Sequence, residues 1–319
     1  MAAPRVLVIR GGAIGDFILT LPAIRLLRES IPGIQLEILG YKPILDLALA
    51  GGLAEATRHL EHVSMARLFV PNAPLDEALL GYFRSFNLVV SYLYDPDGYF
   101  RGNMERIGVR TFLEASHRVL PGEGHAAEQL ARPLERLAMY LEDPAPRLDL
   151  APSGAVPQDR PILAVHPGSG STKKNWPLDR WIATGRELAS RFPQWRLALV
   201  TGEAELERGT TTAILSGWQG IDFLHWDQLP LPELGNRLAA STAFLGHDSG
   251  IGHLAAAVGL RSLLLFGPTD PAIWAPKNDG VRILLEETGD LGELSTARVL
   301  DESVTLLADA PQKTDSSAL

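Results

Sequence analysis

The sequence predicts an α/β fold built from two doubly wound parallel-sheet domains, and three observations carry that prediction. Short apolar runs rich in Val, Ile and Leu alternate with helical patterns through both halves of the chain, as strands covered on both faces require. The alternation breaks once, near the middle, at the proline-rich segment EDPAPRLDLAPSGAVPQDRP (142–161), whose lack of apolar periodicity reads as a linker. The 319 residues, 46% of them hydrophobic, suffice for two cores of ordinary size. The expected domains are 1–150 and 151–310, with residues 311–319, PQKTDSSAL, as a frayed tail.

The elements follow in order. RVLVIR (5–10) is the first strand, and the helical pattern over 17–30 stops at Pro32-Gly33. IQLEILG (34–40) is the next strand, followed by a helix near 44–56 and later by the strand in NLVVSYLY (87–94). Beyond the linker, PILAVHPG, WRLALVTG, TAFLGHDSG and RSLLLFGPT are four strands, each running into a polar or glycine-containing loop. Those four loops occupy one topological position, so in a parallel sheet they converge on one edge, where such folds bind ligands. Two domains of this kind facing each other would enclose a cleft.

Composition excludes several functions. A formal charge of −9 argues against a broad nucleic-acid footprint and, by net charge, against an anionic membrane surface. The chain has no cysteine, so disulfides, thiolate metal sites and thiol nucleophiles are out. MAAPRVLVIRGG enters a strand without a basic-then-apolar leader, and no apolar run reaches membrane-spanning length. The chain therefore reads as soluble and cytoplasmic.

The first loop, RGGAIGD (10–16), resembles a dinucleotide cradle but departs from it. G-x-G-x-x-G would need glycine where Arg10 stands, although Gly12 and Gly15 fit. Asp16 opens the helix, where a carboxylate repels a pyrophosphate. Glu37, about where a ribose-binding acid is expected, lies inside a strand pattern. Asp16 is thus either a helix N-terminal acid or a general base, and spacing alone leaves both open.

In HPGSGSTKKNWP (166–177), Gly168, Ser169 and Gly170 allow a ligand close to the backbone while Lys173 and Lys174 supply positive charge. That suits a phosphate, although the spacing is not that of a P-loop and two solvated lysines are the alternative. In GHDSGIGHLAAAVG (246–259), Asp248 or Ser249 caps a helix whose first amides lie beside Gly250 and Gly252, with His253 one turn in. A pyrophosphate fits there, with Asp248 accepting from a ribose or steering Lys174; a simple capped helix is the alternative. A nucleophile elbow is weakened because Ser249 stands one position late for G-x-S-x-G. His247 and His253 are six apart and do not share a helical face, which weakens a metal site. Thr269, in FGPTDPAIWAP, offers a hydroxyl to a phosphate, and Glu205, in TGEAELE, is placed for a ribose or base contact. A stiffened turn and a surface glutamate are their plainer readings.

With these motifs in this order the chain resembles glycosyltransferase family 9, the bacterial heptosyltransferases of lipopolysaccharide synthesis, over nearly its whole length. The resemblance implies a GT-B architecture of two Rossmann-like domains, acceptor bound mainly by the first and nucleotide-sugar mainly by the second. It makes Asp16 the base of an inverting transfer and Lys174 the lysine beside the donor diphosphate. Gly168 and Ser169 become donor-loop positions, Asp248, Ser249, Gly250 and His253 the donor-binding helix start, and Glu205 a neighbour of the nucleoside. Arg10 and Gly12 fall on the acceptor side. The run YFRGNMERIGVRTFLEASHRV (99–119) adds Arg101, Arg106, Arg110, His117 and Arg118, which could meet an anionic glycolipid or, alternatively, form a solvated face paired with Glu105 and Glu114.

The implied donor is ADP-heptose, with no metal and no cofactor because lysine and helix dipole take the cation's role. The implied acceptor is a lipopolysaccharide-core-type glycolipid or oligosaccharide, reached by peripheral contact with the cytoplasmic face of the inner membrane. Other members of such a family use another nucleotide-sugar or a different acceptor, and a catalytically silent nucleotide-binding homologue would keep the same fold. Ile251-Gly252, the segment after Pro276 and the lack of cysteines near the C-terminus depart from the familiar pattern and leave the substrate open. Arg10 and Asp16 count against a nicotinamide-dependent oxidoreductase.

Overall fold

The computed structural model describes residues 3–309; the tail expected at 311–319 lies outside them. The chain divides into two compact units, Met1–Asp149 and Leu150–Leu319. In the first, β1 (Arg5–Arg10), β2 (Gln35–Gly40), β3 (Ala56–His59), β4 (Leu88–Ser91) and β5 (Phe112–Glu114) form a sheet of order β3-β2-β1-β4-β5. In the second, β6 (Ile162–His166), β7 (Arg196–Thr201), β8 (Phe223–Asp227), β9 (Ala243–His247), β10 (Ser262–Phe266) and β11 (Val281–Leu285) are ordered β11-β10-β9-β6-β7-β8. Every pairing in both sheets is parallel. Each sheet reverses its winding once, between β1 and β4 and between β6 and β9, and a doubly wound sheet opens its crevice at that point.

The apolar runs read from the sequence are the inner strands. Four strands were not among them: β3, β5, β8 and β11, which are the four sheet edges. The reason is burial. β3 is ATRH and none of its residues is buried, whereas β6, β9 and β10 are buried at every residue. An edge strand needs no continuous apolar run, so it lacks the signal. Helix ends also shift. The first helix spans Ile14–Ser30, starting three residues before the expected onset, and the second is Lys42–Ala50, with the chain entering β3 by Ala56 instead of staying helical.

Leu7, Ile9, Phe83, Phe100 and Met104 centre one core, and Trp176, Trp181, Trp218, Leu199 and Leu245 another. The proline-rich segment is packed over residues 143–150 and mostly exposed over 151–159. Arg25 holds the carbonyls of Asp143 and Ala145, and Leu148 is buried over Gly51 of the first unit. Two residues on, Leu150 is buried over Gly235 of the second. Each unit thus anchors its own side of Asp149.

Glu37 is buried within the first sheet, and it is fully occupied. Tyr82 Oη donates to its Oε1 at 2.7 Å, Arg5 lies 3.4 Å from Oε2, and Arg58 lies 3.9 Å away while stacking on the Tyr82 ring. Burial and the Glu37 carboxylate push the Tyr82 phenol's pKa up, so the hydroxyl remains a donor. Tyr82→Phe should therefore cost about 1–3 kcal/mol of unfolding free energy in urea titration. A loss below about 0.5 kcal/mol, the range of featureless surface changes, would show that Arg5 and Arg58 satisfy Glu37 without it.

Candidate functional site

Because β6 and β9 are neighbours at the reversal, the loops that follow them lie side by side. Lys174 ends a 3-10 turn, Thr172–Lys174, in the first of these loops. Its Nζ donates to Asp248 Oδ2 at 2.8 Å and to the Asp248 carbonyl at 3.3 Å. Thr269 Oγ1, from the loop after β10, donates to the same Oδ2 at 2.8 Å. His253 Nε2 stands 3.5 Å from Oδ1. The Asp248 side chain is only 6% exposed against 28% for Lys174. Burial alone would raise the Asp248 pKa; the hydrogen bond and charge of His253, with Lys174, outweigh it and hold the carboxyl well below the usual carboxylate range. Of the three ammonium hydrogens of Lys174, two are committed to Asp248, which leaves one for a ligand.

Ser249 caps the helix Gly250–Ala257, its Oγ accepting from Gly252 N at 3.2 Å. The amides of Gly250 and Ile251 have no acceptor within their own helix, since a helix leaves its first N–H groups unpaired. His253 Nδ1 is buried and has no hydrogen-bond partner among the described residues. A cation, unpaired amides and a helix start converge here, as binding a diphosphate requires.

The loop after β6 is braced from inside and outside. Ser169 Oγ lies 2.6 Å from Asn175 Oδ1 and 2.7 Å from Ser171 O, and Arg208 donates to Ser169 O at 2.8 Å. Glu205 is buried, accepts from Gly202 N at 2.8 Å and lies against Gly168. A β-carbon at residue 168 would stand 1.8 Å from Glu205 Oε1, so Glu205 fits only over glycine. Among the described residues no group of three or more His, Asp or Glu is placed to hold a metal ion. Arg208 and Asn175 brace this site and are not singled out from sequence, and His247 is weighed there only as a metal ligand; no local pattern marks their role, because each acts on backbone or side chains of the 168–176 loop.

In the first unit Asp16 sits in the opening turn of the helix Ile14–Ser30, and its Oδ2 accepts from Ala13 N at 3.0 Å. Gly12 holds φ +96°, and a β-carbon there would lie 2.7 Å from Asp16 Oδ2, so both conformation and space call for glycine. Arg10, 2% exposed, donates to the Asp16 carbonyl at 3.2 Å and lies 3.8 Å from Oδ1, with the Tyr92 ring 5.3 Å beneath it. Burial lowers the Arg10 pKa, against the opposing pull of Asp16 and Tyr92. Asp16 itself, with 38% of its side chain exposed, is the accessible member of the pair.

Of the arginines expected on the acceptor side, Arg101 and Arg106 both have protein partners. Arg101 pairs with Glu114 at 3.0 Å and Glu105 at 3.7 Å, and Arg106 donates to the Ala73 carbonyl. A cavity of about 700 Å³ opens nearby, lined by residues that include Tyr94, Arg101, Glu114, His117 and Arg136. Tyr94 is largely exposed, faces the His117 ring at 4.6 Å and carries the Arg118 guanidinium at 5.9 Å.

Residues 126–302, more than half of the chain, match the family described as glycosyltransferase family 9 (heptosyltransferase). The chain belongs to that family. Family 9 relatives extend the match over most of its length. The chain is 28% identical over 293 residues to lipopolysaccharide heptosyltransferase 1 of Pseudomonas aeruginosa, covering 84% of this chain and 79% of that protein. The Escherichia coli ADP-heptose lps heptosyltransferase II has the same fold with a TM-score of 0.75 at 18% identity, over 95% of this chain and 98% of that one. The E. coli heptosyltransferase WaaC, solved with ADP, gives a TM-score of 0.72 at 17% identity, over 95% and 99%. The two parallel-sheet units are thus those of a GT-B glycosyltransferase.

The Asp248 geometry has a pH consequence. Its folded-state pKa is depressed, so its stabilising contribution is complete above the unfolded value of about 4 and is lost as pH falls below it. In urea denaturation at stepped pH, the stability gap between wild type and Asp248→Asn should be widest near neutrality and narrow steadily below about pH 4. A gap that stays flat with pH would show that His253 and Lys174 do not bias this carboxyl.

Proposed function

We propose that this family 9 enzyme transfers a heptose from ADP-heptose to a lipopolysaccharide-core-type acceptor, with inversion at the anomeric carbon. The observation that carries the reading is the Lys174–Asp248–Thr269 cluster set against the start of the helix Gly250–Ala257. It offers an oriented, accessible cation and helix-start amides to a diphosphate, and the names of the relatives supply the sugar and nucleotide. In the reaction the acceptor hydroxyl oxygen forms a bond to the anomeric carbon. The bond from that carbon to the β-phosphate oxygen breaks, and ADP departs with the electron pair. The hydroxyl proton passes to Asp16. Lys174 and the amides of Gly250 and Ile251 stabilise the negative charge that grows on the leaving diphosphate, so this reading needs neither metal nor cofactor.

Glu205 over Gly168 is placed in this reading beside the nucleoside, and Ser169 lines the same loop. Arg10 serves the acceptor side by orienting Asp16, since it is buried beneath it. The cavity beside Tyr94 suits a sugar ring, which stacks on an exposed aromatic, with Arg136 available to an acid group. Among the described residues no helix is long and apolar enough to cross a membrane. A water-soluble donor and a lipid-anchored acceptor place the proposed reaction at the cytoplasmic face of the inner membrane, by peripheral contact.

Asp16→Asn should lower heptose transfer by about 10²–10⁴-fold, the usual contribution of a general base, while ADP affinity in calorimetry is retained. Turnover that survives with collapsed ADP affinity would sink the assignment. Lys174→Ala should weaken ADP binding by about 10–100-fold, as losing a charged hydrogen bond does. Stabilisation of the wild-type chain by UDP or GDP in preference to ADP would overturn the choice of donor.

A further inference from the structure

We infer that His247 is a positioning residue for the donor site: it staples both ends of the 168–176 loop to β9 and so sets where the Lys174 ammonium stands. The inference rests on the reading of Lys174 as the diphosphate cation. His247 is the last residue of β9 and is wholly buried. Its Nε2 accepts from Trp176 N at 2.8 Å, and its Nδ1 lies 3.3 Å from the Gly168 carbonyl. A carbonyl can only accept, so Nδ1 carries the hydrogen and Nε2 keeps its lone pair for Trp176. The two bonds demand one and the same neutral tautomer. Burial pushes the imidazole pKa down to about 3, which keeps that tautomer uncharged. Trp181 closes the site, its ring edge-on to His247 at 5.2 Å and to Trp176 at 5.2 Å.

The placement of the staple gives it a function beyond packing. Lys174 stands two residues from Trp176, and its partner Asp248 is the residue after His247. Both members of the ion pair are therefore referenced to one point on β9. Without the staple, the Trp176 end would still be held by Trp176 Nε1, which donates to the Leu294 carbonyl at 2.8 Å. That anchor is not on β9, so the Lys174 side chain, with about 2 kcal/mol of rotamer entropy, would have to supply the register with Asp248. The interior bonds, Ser169 to Asn175 and Arg208 to Ser169, fix the shape of the loop; His247 ties that shape at both ends to β9, the strand that Asp248 follows.

The test compares ADP with AMP binding, by calorimetry on the full chain, in wild type, His247→Leu and His247→Asn. Leucine cuts both bonds. Asparagine puts an amide donor near the place of Nδ1, keeping the Gly168 end and cutting the Trp176 end. A displaced Lys174 costs contact with the second phosphate, so ADP affinity should fall about tenfold or more in His247→Leu while AMP affinity is nearly unmoved. His247→Asn should lie between. General loosening of the domain lowers both nucleotides together and leaves their ratio alone, so an unchanged ratio in the folded variants overturns the inference. If the leucine variant does not fold, the asparagine variant decides by the same ratio. A wild-type chain with no preference for ADP over AMP defeats the diphosphate reading and the inference with it, whereas a wild-type preference that the variants preserve defeats the inference alone.

Discussion

The ion pair between Lys174 and Asp248 joins loops that follow two neighbouring strands, and much of the second unit is arranged to keep it in place. A carboxylate with 6% of its side chain exposed pays heavily in lost hydration unless it is paired and hydrogen-bonded. Asp248 meets that requirement with three groups from three segments: Lys174 before the helix Leu178–Arg191, Thr269 after β10, and His253 within its own helix. The converse matters as much for chemistry. Lys174, held by a buried anion, is an oriented cation before any ligand arrives, and groups fixed in advance need no reorganisation when charge develops.

The order β10-β9-β6 makes this possible. Three parallel strands deliver their carboxyl-end loops to one edge, so residues 74 and 21 positions apart in sequence, Lys174 to Asp248 and Asp248 to Thr269, come within 2.8 Å. The sequence carried this much, because β6, β9 and β10 are buried apolar runs and their loops contain the recognisable residues. What it did not carry has a common physical cause. The edge strands β3, β5, β8 and β11 are less buried than the inner ones, and their apolar runs are short or interrupted by polar residues. His247 carries no motif of its own; its role comes from two backbone atoms, Gly168 O and Trp176 N, that only the folded loop brings to it. Arg208 reaches Ser169 O across 39 residues for the same reason.

Charge on its own proved a poor guide to what a side chain meets. The run from Arg101 to Arg118 is open to two readings from sequence, an acceptor surface or a paired, solvated face; Arg101 takes the second, paired with Glu105 and Glu114, while Arg106 donates to a backbone carbonyl. Arg10, which the resemblance places on the acceptor side, is buried under Asp16 and over Tyr92. Glu37, near the expected place of a ribose acid, is taken up by Tyr82, Arg5 and Arg58. Composition counts charges, whereas partners depend on which neighbours the sheet register supplies.

The two units share one device and use it with opposite sign. In each, a glycine in the loop after the first strand admits a carboxylate against the backbone: Gly12 admits Asp16 and Gly168 admits Glu205. In the first unit that carboxylate is the accessible group, held by Ala13 N and Arg10. In the second the carboxylate is buried and the accessible charge is the Lys174 ammonium. The proposed transfer needs a base for the acceptor proton and a cation for the leaving diphosphate, acting on different atoms. Built on one loop, the two would pair with each other, and each would lose what the reaction asks of it. Built on separate sheets, each has a partner of its own, Arg10 for Asp16 and Asp248 for Lys174.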